Sequence, residues 1–205
     1  RIDYTTVVKE YTGADILTDS DVVLLQRAQA LHITMPSGGL NRSRLIDQLW
    51  KYCRKKIAGP VFLINHPVAV SPLAKRLPTN PALVERYQVI IAGSELGNGY
   101  TELNDPQDQR SRFEEQAALR AAGDAEAQMH DEDFVRALEY GMPPTTGFGV
   151  SERLFSFLVD KPIRECVMFP LLRPKNIVEP NSRVVPTAVV TDPSLEQFDP
   201  GISLA

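Results

Sequence analysis

Apolar residues recur at helical spacing in several stretches of the chain and at alternating positions in one. Leu45, Ile46, Leu49, Trp50 and Cys53 fall three and four apart, which predicts a helix opened by Ser43. It ends in the basic run Lys51 to Lys56, which suits the negative end of a helix dipole. Residues 1–35 also read as helical, with apolar Ile2, Val7, Val8 and Ile16, a turn at Thr12-Gly13, and Ser20 capping a helix with Val22, Val23, Leu24, Leu25 and Ala28. Pro36-Ser37-Gly38-Gly39 reads as a loop.

After Gly59-Pro60 the pattern changes to strands. Val61 to Ile64 is an apolar run stopped by Asn65-His66-Pro67, and a loop with Pro72, Pro78 and Pro81 follows. Tyr87 to Ala92 is a second strand, Gly93-Ser94 a two-residue hairpin turn, and Glu95 to Leu103 the returning strand. Asn104-Asp105-Pro106 caps a polar helix from Gln107 to Ala122, and Asp131 opens another to Tyr140. A Pro/Gly loop spans 141–147, Glu152 to Val159 is helical, and Cys166 to Phe169 reads as a strand. Hairpin strands beside segregated helices predict an α+β fold, an antiparallel β-sheet flanked by helices. Prolines at 174, 180, 186, 193 and 200 mark an extended C-terminal tail, so the domain is expected to span 1–174 and the tail 175–205.

Composition narrows the classes. The chain has 205 residues, 43% apolar and 23% charged, with a net charge of −4. That excludes collagen-like, coiled-coil and wholly disordered chains, and it lacks the overall basic footprint of a dedicated nucleic-acid binder. No apolar run approaches the roughly 20 residues of a membrane-spanning helix. Cys53 and Cys166 form no zinc or redox spacing and are expected as buried thiols of a reducing cytoplasm. The start at Arg1 reads as a piece of a longer protein.

Candidate chemistry concentrates in Gly93 to Pro106. On a strand, Asn98, Tyr100 and Glu102 share one face: an amide, a ring and a carboxylate in a row. That trio suits a ligand with an alkyl stem and a cationic head. Alternation puts Glu95 on the other face unless a bulge near Gly97 and Gly99 re-aims it. In Gly147-Phe-Gly-Val-Ser-Glu-Arg-Leu154, glycines precede a helix and Arg153 sits in its first turn, within reach of a phosphate or base. His32, His66 and His130 show no ligand spacing, and His66 reads as a turn residue.

The order of segments resembles the catalytic domain of class II lysyl-tRNA synthetases, from just after the second signature to the C-terminus. The residues that carry the resemblance are Asn65-His-Pro-Val-Ala-Val-Ser-Pro-Leu-Ala-Lys75, Glu95-Leu-Gly-Asn-Gly-Tyr-Thr-Glu-Leu-Asn-Asp-Pro106, Arg112-Phe-Glu-Glu-Gln116, Ala137-Leu-Glu-Tyr-Gly-Met-Pro-Pro-Thr145, Glu152-Arg153-Leu154, and Ile163 to Pro170 through Arg173-Pro174. The resemblance implies an ATP- and Mg²⁺-dependent activation of lysine to lysyl-adenylate and its transfer to tRNA(Lys), in a cytoplasmic homodimer with no membrane partner. It implies that Asn98, Tyr100 and Glu102 contact lysine, with Glu102 on the side-chain ammonium. Glu95 would hold ATP and Mg²⁺, and Arg153 would lie against ATP as the catalytic arginine.

Two departures stand out. Seven positions before Glu95 the family pattern has a second acidic metal ligand, and this chain has Gln88. Ser151 stands at the third glycine of the last signature, and one residue fewer separates it from Arg153. The first and second signatures, with the arginine that grips the α-phosphate, are not among these residues, so the chain alone is expected to be catalytically incompetent. The alternatives are a non-catalytic fragment or paralogue acting as a binding module, and a lysine ligase acting on an elongation factor.

Overall fold

The computed structural model describes residues 1–35 and 40–169, so the loop read at 36–39 and the tail read at 175–205 lie outside the described residues. The chain opens with β1 (Ile2–Asp3), α1 (Tyr4–Thr12), α2 (Asp21–Ala30) and α3 (Arg42–Arg54). Asp3 caps α1 by accepting from the Thr6 amide, and Gly13 ends it at φ 71°, a left-handed stop that suits glycine. Ser20 caps α2 as read from the sequence, but α3 is capped by Asn41, two residues earlier than Ser43.

The sheet follows: β2 (Val61–Pro67), a 3-10 turn at Val68–Val70, β3 (Arg76–Leu77), β4 (Asn80–Ile91), β5 (Ser94–Thr101) and, after α4 (Pro106–Ala121) and α5 (Glu132–Tyr140), β6 (Thr146–Val150). The strand order is β1-β2-β4-β5-β6, with β3 pairing β4. All pairs are antiparallel except β1 with β2, so the sheet is mixed where an antiparallel one was expected. α6 (Glu152–Leu158) and α7 (Ile163–Cys166) close the described part.

Three local readings are corrected. β4 begins at Asn80 rather than Tyr87, because Pro81 sits exposed near the strand's start, where a missing N–H costs no ladder bond. The hairpin loop is Ala92-Gly93, one residue earlier than read, since Ile91 pairs Ser94 and both loop residues have positive φ, 49° and 70°. Cys166 to Phe169 form no strand: Cys166 ends the helical turn Ile163–Cys166 and residues 167–169 bend, and Cys166 is half-exposed rather than buried.

The core lies between α1, α2, α3 and one face of the sheet. Tyr4, Val8, Leu24, Leu45, Leu49, Trp50, Leu63 and Ile90 pack together, each 3% exposed or less. Each fully buried aliphatic side chain contributes roughly 1.5–3 kcal/mol by leaving water. Cys53 belongs to this cluster, and burial pushes its thiol up to about 12, which makes it inert at neutral pH. The helices cover β2 and part of β4, and the same face stays open over β5 and β6.

Candidate active site

The open part of that face is a cavity of about 500 Å³. Gln88, Glu95, Asn98, Tyr100 and Glu102 all line it, with Gly147, Gly149 and Ser151 across from them. Asn98 pairs Gln88 across the ladder, and Tyr100 pairs Arg86. The alternation read from the sequence therefore holds for Asn98, Tyr100 and Glu102. Glu95 joins them through a bulge: the register shifts between Val89 and Ile90, which leaves Leu96 unpaired and turns Glu95 onto the Asn98 face.

The glycines of β6 face this cavity. Gly147 lies opposite Tyr100, and a Cβ there would approach an Oε1 of Glu102 to 3.0 Å, so glycine leaves room for the carboxylate. Glu102 is half-buried and has no ion-pair partner among the described residues. Burial pushes its carboxyl above the usual range. A carboxylate held partly dry without a cation is poised for one.

Asn98 is oriented from below. The Nε–H of Arg86 donates to Asn98 Oδ1 at 2.9 Å, and Arg86 Nη1 donates to Val70 O and Ser71 Oγ, each at 2.9 Å. Arg86 fixes the Asn98 oxygen, which leaves its NH₂ to turn toward a ligand. Burial lowers the Arg86 guanidinium below its ordinary value, and no carboxylate pairs it among the described residues.

His66 is a buried strand residue, 1% exposed, where the sequence reading made it a turn residue. Its ring packs on Tyr4 with centroids 5.1 Å apart. Burial, with the charge of Arg86, brings its pKa down to about 4, so the ring is neutral at pH 7. Nδ1 lies 3.2 Å from the Arg86 carbonyl oxygen. Nε2 lies 3.1 Å from Gln88 Oε1, and a neutral ring has a single N–H to give to one of these two oxygens.

Glu95 is held by α3. Trp50 Nε1–H donates to Glu95 Oε1 at 2.9 Å, and Arg54 Nη1 lies 2.8 Å from the same oxygen. Burial pushes the Glu95 carboxyl up, but these two donors outweigh it and the net shift is downward. The Mg²⁺ that the resemblance implies does not fit this donor set. Gln88 is a neutral amide engaged with His66, and the one charge of Glu95 is already met by a guanidinium. Among the described residues, no group of three or more His, Cys, Asp and Glu side chains is placed to hold a metal ion.

Arg153 stands apart. It lies exposed in the first turn of α6, whose cap Ser151 accepts from the Arg153 amide, and its side chain does not line the cavity. Strand β6 runs directly into Ser151, the cap of α6. Strand β6 itself was not expected, because Thr146 to Val150 reads as glycine-rich loop.

The family of class II tRNA synthetases (D, K and N) matches residues 1–173. The chain belongs to the class II tRNA synthetases. It is 48% identical over 181 residues to the lysine–tRNA ligase of Thermotoga maritima, covering 87% of this chain and 36% of that relative. The lysine–tRNA ligase of Thermosipho africanus is 45% identical over 181 residues, with 87% of this chain and 36% of the relative covered. That of Roseiflexus castenholzii is 45% identical over 181 residues, with 85% and 36% covered. The chain thus spans little more than a third of the length of the curated relatives it matches. As a class II synthetase chain it carries the sheet and the cavity. Sequence reasoning singled out Asn98 and Tyr100 of β5 and Glu102 just after it, but missed Arg86, Trp50 and Arg54, whose contacts lie on other elements. Only the basic run at the end of α3 hinted at Arg54.

Proposed function

We propose that this chain supplies the lysine-recognising part of a lysine–tRNA ligase site. The observation that carries the reading is the unpaired Glu102 carboxylate beside the Tyr100 ring and the Asn98 amide, on one strand face inside one cavity. Glu102 meets the side-chain ammonium, Tyr100 covers the alkyl stem, and Asn98, held as a donor by Arg86, turns its N–H groups to the lysine carboxylate or the carbonyl formed from it. The substrates in this reading are lysine, ATP and tRNA(Lys). A lysine carboxylate oxygen attacks the α-phosphorus of ATP, the bond to the bridging oxygen breaks, and pyrophosphate leaves with that oxygen. The chain's own residues contribute positioning and charge at the amino-acid end. Arg153 reaches ATP only if the α6 segment approaches the cavity on nucleotide binding.

A cytoplasmic homodimer belongs to the same reading. It is supported by the apolar back of the sheet, where Phe62, Phe148 and Val150 are exposed, and by exposed Phe155, Phe157 and Leu158 of α6. No helix among the described residues is long and apolar enough to cross a membrane.

The test is lysine-dependent ATP–pyrophosphate exchange, measured on a longer form of the protein that contains this chain. Exchange with lysine and not with aspartate or asparagine supports the reading. Exchange with another amino acid, or none with lysine, overturns it.

A further inference from the structure

We infer that Arg54 is a built-in cation at Glu95, and that this site takes up no divalent metal ion of its own. The inference deepens the lysine-activation reading and rests on it only for the meaning of the cavity. It concerns the protein's own metal affinity, not ions carried by a nucleotide.

Three observations carry it. Glu95 lines the cavity with Asn98 and Glu102, yet its Oε1 accepts from Trp50 and is ion-paired with Arg54 Nη1 at 2.8 Å. A hard divalent cation needs anionic oxygens, and here the carboxylate's charge is already balanced. The companion position holds Gln88, which adds an amide but no charge and is fixed by His66. The guanidinium is also not free to yield. It projects from the last turn of α3, where Leu49, Trp50 and Cys53 are buried at 0%, 3% and 0% exposure. The Trp50 ring packs on Tyr4 with centroids 5.0 Å apart, so the indole that shares Glu95 is itself anchored. The Arg54 Nε–H is buried with no partner, so Glu95 is the only acceptor found for this guanidinium among the described residues. A metal ion at Glu95 would have to expel a cation tethered to the core.

The chain has a single tryptophan, Trp50, so its indole N–H gives one NMR signal that reports on Glu95. Mn²⁺ bound at Glu95 would broaden that signal at far lower concentration than Mn²⁺ in bulk solution. The ¹⁵N-labelled 205-residue chain is titrated with Mn²⁺, without lysine or nucleotide, as wild type, as Gln88→Glu, and as Arg54→Gln combined with Gln88→Glu. The wild-type signal is expected to persist into the millimolar range. The double variant, with two unpaired carboxylates, is expected to broaden at least about tenfold earlier. Broadening of the wild type at micromolar Mn²⁺, abolished by Glu95→Gln, overturns the inference. Identical titrations of wild type and double variant overturn it as well. If the double variant fails to fold, Arg54→Gln alone and the wild type still decide: an Arg54→Gln signal no more sensitive to Mn²⁺ than the wild type sinks the idea. Because no substrate is present, this outcome and that of the exchange assay are independent.

Discussion

Arg86 on β4 donates its Nε–H to Oδ1 of Asn98 on β5 at 2.9 Å, across the ladder beneath the cavity. The guanidinium also gathers Val70 O and Ser71 Oγ, so it ties the 3-10 turn, β4 and β5 together. Arg86→Met should leave three acceptors without a charged donor. Hydrogen bonds to charged groups contribute about 1.5–3 kcal/mol each, offset here by the desolvation the arginine no longer suffers, so a net loss of about 2–3 kcal/mol is expected. Urea unfolding of the 205-residue chain measures it. A midpoint unchanged from wild type would show that Arg86 does not organise this face.

What the sequence made legible, and what it hid, follows from the range of each interaction. Alternation along β5 is local, so Asn98, Tyr100 and Glu102 could be placed on one face from spacing alone. The aim of Glu95 depends on a bulge set by pairing with β4, so the sequence left both faces open. His66 looked like a turn residue because Pro67 follows it, yet tertiary packing against Tyr4 and Gln88 buries it in a strand. Strand β6 was hidden because its two glycines, Gly147 and Gly149, read as loop, although they are small where they face the cavity. Trp50 reads as core from its helical spacing, and it is 3% exposed, but its bond to Glu95 spans 45 positions and no periodicity encodes that.

The other face of the sheet sets a steric limit at Gly99. The Tyr87 ring lies between Phe62 and Phe148, with centroids 6.0 and 5.8 Å away. A Cβ at position 99 would stand 2.7 Å from the Tyr87 ring carbon Cζ. Gly99→Ala should therefore push Tyr87 out of its stack and cost about 1–3 kcal/mol, as overpacking typically does. Thermal or urea unfolding of the chain checks it. A Gly99→Ala chain as stable as wild type would mean that the ring moves aside freely.

Acid should weaken the fold at two carboxylates. Hydrogen bonds from Arg44 lower Asp124 to about 2, and in Asp108 the bonds from Arg112 and Arg76 outweigh burial and also bring it to about 2. Both folded-state values lie below the usual value of 3.8, so the stabilisation is complete above that value and disappears as pH falls from about 4 to about 2. Asp124→Asn should lose stability at pH 7 and flatten the acid limb of the profile. It also leaves Arg44, with a side chain 16% exposed, without its main partner. Unfolding midpoints from pH 2 to 7 for both forms test this; parallel profiles would remove Asp124 from the acid response.

Glu102 offers the sharpest test of the cavity. Its carboxyl sits above the ordinary range because burial disfavours its charge and no cation compensates. A lysine ammonium would supply that cation, so binding requires the ionised form. Lysine KM should therefore rise as pH falls toward the raised pKa, at a higher pH than an ordinary glutamate at 4.5 would give. Glu102→Gln removes the charge but keeps the shape. Breaking one partner of a desolvated pair costs about 3–5 kcal/mol, which corresponds to a fall of about 10² to 10³ or more in kcat/KM for lysine. The KM for ATP should change by less than about twofold, since the nucleotide does not touch Glu102 in this reading. Pyrophosphate exchange with each substrate varied in turn, in a form of the protein that activates lysine, separates the two. Equal losses for lysine and ATP would point to a general folding defect. An unchanged lysine KM and kcat would take Glu102 out of the site, and with it the unpaired carboxylate on which the lysine reading stands.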